Sequence, residues 1–156
     1  HAMVPFFGQG MNCGFEDCSV FDREPDGDWA EVFERVARAR KPQTDAISDM
    51  AIENFVEMSA RTADPRFLLE KEVERILMQK FPGEYLSRYA LVTFSRIPYR
   101  TAYDLGLIQV GILAELCHGI ERAEDVDLER ASILIHTKLA PFMKTLQANF
   151  KMDKEK

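Results

Sequence analysis

Apolar residues recur at steps of three and four along most of this chain, and prolines, glycines and capping acids punctuate the segments they mark. That spacing follows the 3.6-residue turn of an α-helix and leaves one apolar stripe per segment to be buried against another. Asp28 followed by Glu31 makes a capping box. After it, Trp29, Val32, Phe33, Val36 and Ala37 form a first stripe, which ends in Arg38, Arg40 and Lys41 just before Pro42. The spacing predicts a second helix from about Thr44 to Arg61, with Ile47, Met50, Ala51, Asn54, Phe55 and Met58 along one face. Asp64-Pro65 is a cap with proline at the first helical position; Phe67, Leu68, Val73, Ile76, Leu77 and Phe81 follow up to the Pro82-Gly83 stop. A further helix is expected from about Tyr99 to His118, with Gly119 as its C-cap, and a last one from Asp127 to about Phe150, kinked at Pro141. The charged tail, Lys151 to Lys156, should fray. Between these, Tyr89 to Ile97 alternates like a strand and stops before Pro98. The expected fold is mainly α: five to six helices with one short extended segment near residues 89–97.

Charge and cysteine usage remove several functions. Among 156 residues, 29% are charged and the net charge is −6, so there is no basic footprint for nucleic acid or an anionic membrane. No stretch approaches the roughly 18 consecutive apolar residues of a membrane span. Cys13, Cys18 and Cys117 are an odd number without C-x-x-C spacing, which favours reduced thiols over disulfides or zinc. His1, His118 and His136 have no nucleophile or carboxylate at triad or metal-ligand spacing. No metal site and no catalytic side chain is assigned.

Two places carry chemistry. Pro5-Phe6-Phe7-Gly8-Gln9-Gly10-Met11-Asn12 runs into a helix-like stretch, Cys13 to Asp22. Glycine lets a flat ligand approach the main chain, and a helix starting after such a loop aims free N–H groups and its positive dipole end at whatever docks there. An ordinary Gly-x-Gly turn is the other reading of the same letters. Farther on, Asn54 falls on an apolar helix face, with Glu57 and Met58 projecting beside it, and buried polar groups need partners. Asn54 could tie down a neighbouring backbone and Glu57 could be exposed; alternatively the set could line a ligand pocket. Tyr89 offers a ring and a hydroxyl, as a core tyrosine or as a ligand.

The segment from His1 to Cys18 closely resembles the kynurenine 3-monooxygenase family of single-component, FAD-dependent aromatic hydroxylases. So, in the same order, do Asp45 to Met50, Glu53 to Met58, Asp64 to Phe67, and Tyr89 to Tyr99. The resemblance covers residues 1 to about 115. It implies the C-terminal portion of an enzyme that uses FAD, NADPH and molecular oxygen to hydroxylate L-kynurenine to 3-hydroxykynurenine. It further implies that Gly10, Met11 and Asn12 lie against the flavin, that Phe6 and Gln9 face the substrate ring, that Asn54 and Tyr89 hold its amino-acid end, and that Glu57 and Met58 shape the wall.

On that basis residues 1–22 close an FAD-binding domain, 28–119 form a helical substrate-side region of an α+β flavoprotein, and 120–156 form a C-terminal helix and tail. With no apolar stretch of membrane-spanning length, the chain is expected to resemble the soluble bacterial members, with a cytoplasmic location. No G-x-G-x-x-G follows a strand, so the chain alone should neither retain FAD nor turn over. Two alternatives stay open. One is a related FAD-dependent hydroxylase with another substrate. The other is a non-catalytic helical binding or assembly module, in which exposed apolar surface favours self-association.

Overall fold

A computed structural model describes residues 3–24 and 27–142. Six α-helices account for most of it: α1 (Gly10–Asp22), α2 (Trp29–Val56), α3 (Pro65–Lys80), α4 (Arg88–Phe94), α5 (Tyr99–Leu116) and α6 (Leu128–Leu134). There is no strand among the described residues. Wider π-helical turns extend α2 through Glu57–Arg61 and α6 through Ile135–Leu139, and a 3-10 turn covers Ala123–Asp125. The mainly helical expectation holds. The caps read from the sequence are made: the Asp28 carboxylate accepts from the Ala30 N–H at 3.0 Å and that of Asp64 from Arg66 at 2.9 Å; Asp127 adds another, accepting from Arg130 at 2.9 Å.

The apolar helix α5 is the post around which the others pack, against α2, α3, α4 and α6. The core joins Ile47, Met50 and Ala51 of α2, Val73 and Leu77 of α3, Leu91 of α4, Leu105 and Ile112 of α5, and Ile135 and Leu139 after α6.

Three sequence expectations need correction. The extended segment near residues 89–97 is instead helix α4, capped by the Ser87 hydroxyl, which accepts from the Ala90 N–H at 3.2 Å. Over seven residues an alternating pattern also satisfies helical spacing, and burial of Leu91 and Val92 against α5 selects the helix. Only the connection after it is extended, where the Ser95 hydroxyl accepts from the Ile97 N–H at 3.2 Å. Pro42 does not divide two helices, because α2 runs through it. Arg38, whose carbonyl loses its usual N–H partner at a proline, and Pro42 itself both face solvent, so water can take the vacated place. Trp29 and Phe33, expected in the core, are 63% and 58% exposed and stack with Phe21 at centroid separations of 6.0 and 5.7 Å. The last helix is described through residue 142; its expected continuation to Phe150 and the tail lie outside the described residues.

Candidate functional site

The site begins at the turn before α1. Gly8 adopts φ +68°, a conformation that favours glycine, and its N–H donates to the Pro5 carbonyl at 3.3 Å. The turn sends the chain into α1 with Gln9 at the N-cap. The Gln9 side chain makes no capping bond; it points inward, where its Oε1 accepts from Asn12 Nδ2 at 2.8 Å and from the Tyr99 hydroxyl at 3.2 Å. The backbone N–H groups of Gly10, Met11 and Asn12 therefore have no partner among the described residues. All three residues are exposed, and the space beside Gly8 and Gly10 where a side chain would start is open. An uncapped helix start with glycine at its first position can receive the electron-rich edge of a flat ligand.

Helix α1 is fixed by charge more than by apolar contact. Arg40 of α2, 7% exposed, donates to Asp17 Oδ1 at 2.5 Å, pairs with Glu16 at 2.8 Å and reaches Cys13 Sγ at 3.5 Å. Burial pushes the Cys13 thiol above its ordinary range, with Asp17 adding to the effect, and Arg40 opposes both. Burial likewise pushes the Tyr99 phenol up to about 12.

The second half of the site is the end of α2. Asn54 Nδ2 donates to the Phe6 carbonyl at 2.7 Å and lies 3.8 Å from Met58 Sδ. The Phe6 ring packs on Phe55 with centroids 4.6 Å apart. Next to it, Phe7 meets Tyr89 at 5.8 Å, and Tyr89 meets Phe94 edge-on at 6.3 Å. Phe6, Asn54 and Met58 are thus brought together, and Tyr89 joins them through Phe7. Asn54 stands outside the buried core and ties down the backbone of the first loop. Met58 and Tyr89 are 59% and 55% exposed, so their faces are available.

Glu57 turns another way. It pairs with Arg88 at 3.5 Å and Lys71 at 3.9 Å, beside a small cavity of about 140 Å³ that Phe67, Gly106 and Gln109 also line. Arg88 also pairs with Glu53, which accepts in addition from the Tyr103 hydroxyl at 3.3 Å. Gln9 and Asn12 instead border a larger cleft of about 500 Å³ between α1 and the segment from Val92 to Tyr99. Sequence reasoning did not find Tyr99, Arg40 or Arg88. Tyr99 and Arg40 lie on apolar or basic stretches that read as ordinary helix, and only the fold pairs each with a distant partner. Among the described residues no helix is long and apolar enough to cross a membrane, and no group of His, Cys, Asp and Glu could hold a metal ion.

No family model matches the chain. Curated proteins do. It is 56% identical over 155 residues to a Myxococcus xanthus protein named kynurenine 3-monooxygenase, a match covering 98% of this chain and 33% of that protein. A protein of the same name from Flavobacterium johnsoniae is 45% identical over 119 residues, 74% of this chain and 27% of the relative. One from Legionella pneumophila (strain Lens) is 38% identical over 146 residues, 90% and 32% respectively. The chain therefore spans about a third of the length of the curated relatives it matches.

Proposed function

With kinship to the kynurenine 3-monooxygenases as premise, we propose that this chain is the C-terminal, substrate-side part of an enzyme that hydroxylates L-kynurenine to 3-hydroxykynurenine with FAD, NADPH and molecular oxygen, and that it is inactive alone. The observation that carries the reading is the bond from Asn54 Nδ2 to the Phe6 carbonyl. It joins the loop ahead of α1 to the end of α2, the two stretches for which the family resemblance implies a ligand-facing role.

FAD, when bound, supplies the oxygen chemistry that side chains cannot. The chain's own share is positional. The N–H groups of Gly10, Met11 and Asn12 would hold the electron-rich edge of the flavin at the positive end of α1. Phe6 would offer its ring to the aromatic end of the substrate, and Gln9 would present Nε2, since its Oε1 is already engaged by Asn12 and Tyr99. Asn54 and the Tyr89 hydroxyl would hold the amino-acid end, with Met58 as apolar wall and Glu57 behind it. Fixing the ring at both ends restricts which ring carbon meets the oxidant.

The test is a chimera in which this chain replaces the matching 155 residues of the Myxococcus xanthus relative. The reading requires NADPH-dependent formation of 3-hydroxykynurenine from L-kynurenine, and loss of most of that activity in Asn54→Ala and Tyr89→Phe. A folded, flavin-bearing chimera that consumes NADPH without forming the product would refute it.

A further inference from the structure

We propose that Arg88 is a positioning residue that sets substrate specificity: it offsets part of the charge of Glu53 and Glu57, so that the candidate site at Tyr89 and Asn54 accepts a substrate carrying a carboxylate. The inference rests on the reading above, because it names a determinant of that same site.

Arg88 is the first residue of α4, immediately before Tyr89, and its side chain is only 15% exposed. It crosses to the last turns of α2, where it engages Glu53 and lies 3.5 Å from Glu57. Asn54 lies between these two acids in sequence. The guanidinium is thus the link between the turn that bears Tyr89 and the turn that bears Asn54.

The site is built for a side chain of this shape. Gly106 of α5 lies under the arginine stem, and a Cβ added there would come within 2.5 Å of Arg88 Cδ. Glycine gives the stem room to lie flat along the helix before its fork meets two carboxylates, a geometry that guanidinium serves better than ammonium.

The charges decide the consequence. Without Arg88, Glu57 keeps Lys71 at 3.9 Å, which it shares with Glu74 at 3.2 Å, and among the described residues Glu53 keeps the Tyr103 hydroxyl at 3.3 Å. A hydroxyl donor does not neutralise a carboxylate. One further negative charge would then go uncompensated on the carboxylate one residue before Asn54, where it repels an incoming carboxylate and attracts an ammonium group.

The experiment uses the chimera with two substrates: L-kynurenine, and its amine analogue that lacks the carboxylate. Arg88→Met should raise KM for L-kynurenine about tenfold, the size of one partly screened charge contact, with kcat within about twofold and KM for the amine unchanged or lower. Adding Glu53→Gln to Arg88→Met should restore KM for L-kynurenine, and Arg88→Lys should keep most of it. A packing role alone would impair both substrates alike and would not be rescued at Glu53; either result overturns the proposal. If Arg88→Met does not fold, Glu53→Gln alone decides. It should raise KM for the amine and not for L-kynurenine, and an unchanged ratio overturns the proposal. A starting chimera that forms no 3-hydroxykynurenine defeats the parent reading and this inference together, whereas an active one indifferent to Arg88 defeats only the inference.

Discussion

Helices α1 and α5 are held in the fold by different forces. Over 18 residues α5 buries Tyr99, Ala102, Leu105, Gly106, Gln109, Ile112, Leu113 and Leu116. Over 13 residues α1 buries Cys13 alone and is clamped through Glu16 and Asp17 to Arg40. Apolar burial is strong and tolerant of direction, whereas a guanidinium between two carboxylates is weaker in net energy and strict in geometry. In this chain the apolar helix sets whether the fold exists, and the charged clamp sets where the first turn of α1 points.

The sharpest way to break that comparison is to empty the post. Leu105 is 1% exposed, and Leu105→Ala should cost about 2–5 kcal/mol, a large part of the total stability of a small domain. Phe15→Ala on α1, where the ring is 64% exposed, should shift stability by less than about 0.5 kcal/mol. Urea titrations followed by far-ultraviolet circular dichroism separate the two, and equal losses would end the distinction between the helices.

Breaking the clamp should be smaller and more local. Arg40→Met leaves Asp17 and Glu16 without their guanidinium, and both carboxylates are partly solvated, at 28% and 46% exposure. A loss of about 1–3 kcal/mol follows, less than for a fully buried pair. Hydrogen exchange should quicken in the α1 amides and stay slow in α5. Uniform quickening across both helices would mean that the clamp supports the whole fold.

The same contrast explains what could be read without a structure. The stripe of α5 and the caps at Asp28 and Asp64 are local: a period, or a side chain reaching two residues along its own chain. Helix α4 was missed because seven residues fit both periods, and only α5 behind it decides between them. Pro42 was misread because the rule that proline ends a helix gives way where the vacated carbonyl faces water. In the candidate site, the glycine loop before α1 and the polar residues on an apolar face of α2 were legible as residue types. Their union was not, since Asn54 to Phe6 spans 48 positions and Tyr99 to Gln9 spans 90. A bond across such separations leaves no pattern in sequence.

Alkaline pH should probe both helices. Burial raises the pKa of Cys13 on α1, of Cys117 just after α5, and of Tyr85 and Tyr99, the last up to about 12 from 10.0. For each the unfolded chain loses its proton first. The corresponding stability is therefore intact below the unfolded value and lost as pH rises through the folded one. Urea midpoints should start to fall above the ordinary cysteine value of 9.0 and fall further as Tyr99 approaches about 12. Midpoints that hold level across that range would show that these groups meet water in the folded state.

The smallest expected effect compares two tyrosines that differ by one hydrogen bond. Both are buried, Tyr85 at 0% and Tyr99 at 8% exposure. The Tyr99 hydroxyl donates to Gln9 across the junction of α5 and α1, whereas that of Tyr85 has no partner among the described residues. Removing an oxygen that was desolvated without compensation costs nothing and can return part of the penalty, so Tyr85→Phe should leave stability unchanged or raise it by up to about 1 kcal/mol. Tyr99→Phe deletes a made bond and should lose about 0.5–1.5 kcal/mol. The loss should be seen in faster exchange at the first turn of α1, because Gln9 then keeps only Asn12. If the two substitutions proved equal, the hydroxyl of Tyr99 would be adding nothing to the packing of its ring, and the placement of the loop before α1 would rest on Arg40 and Asn54.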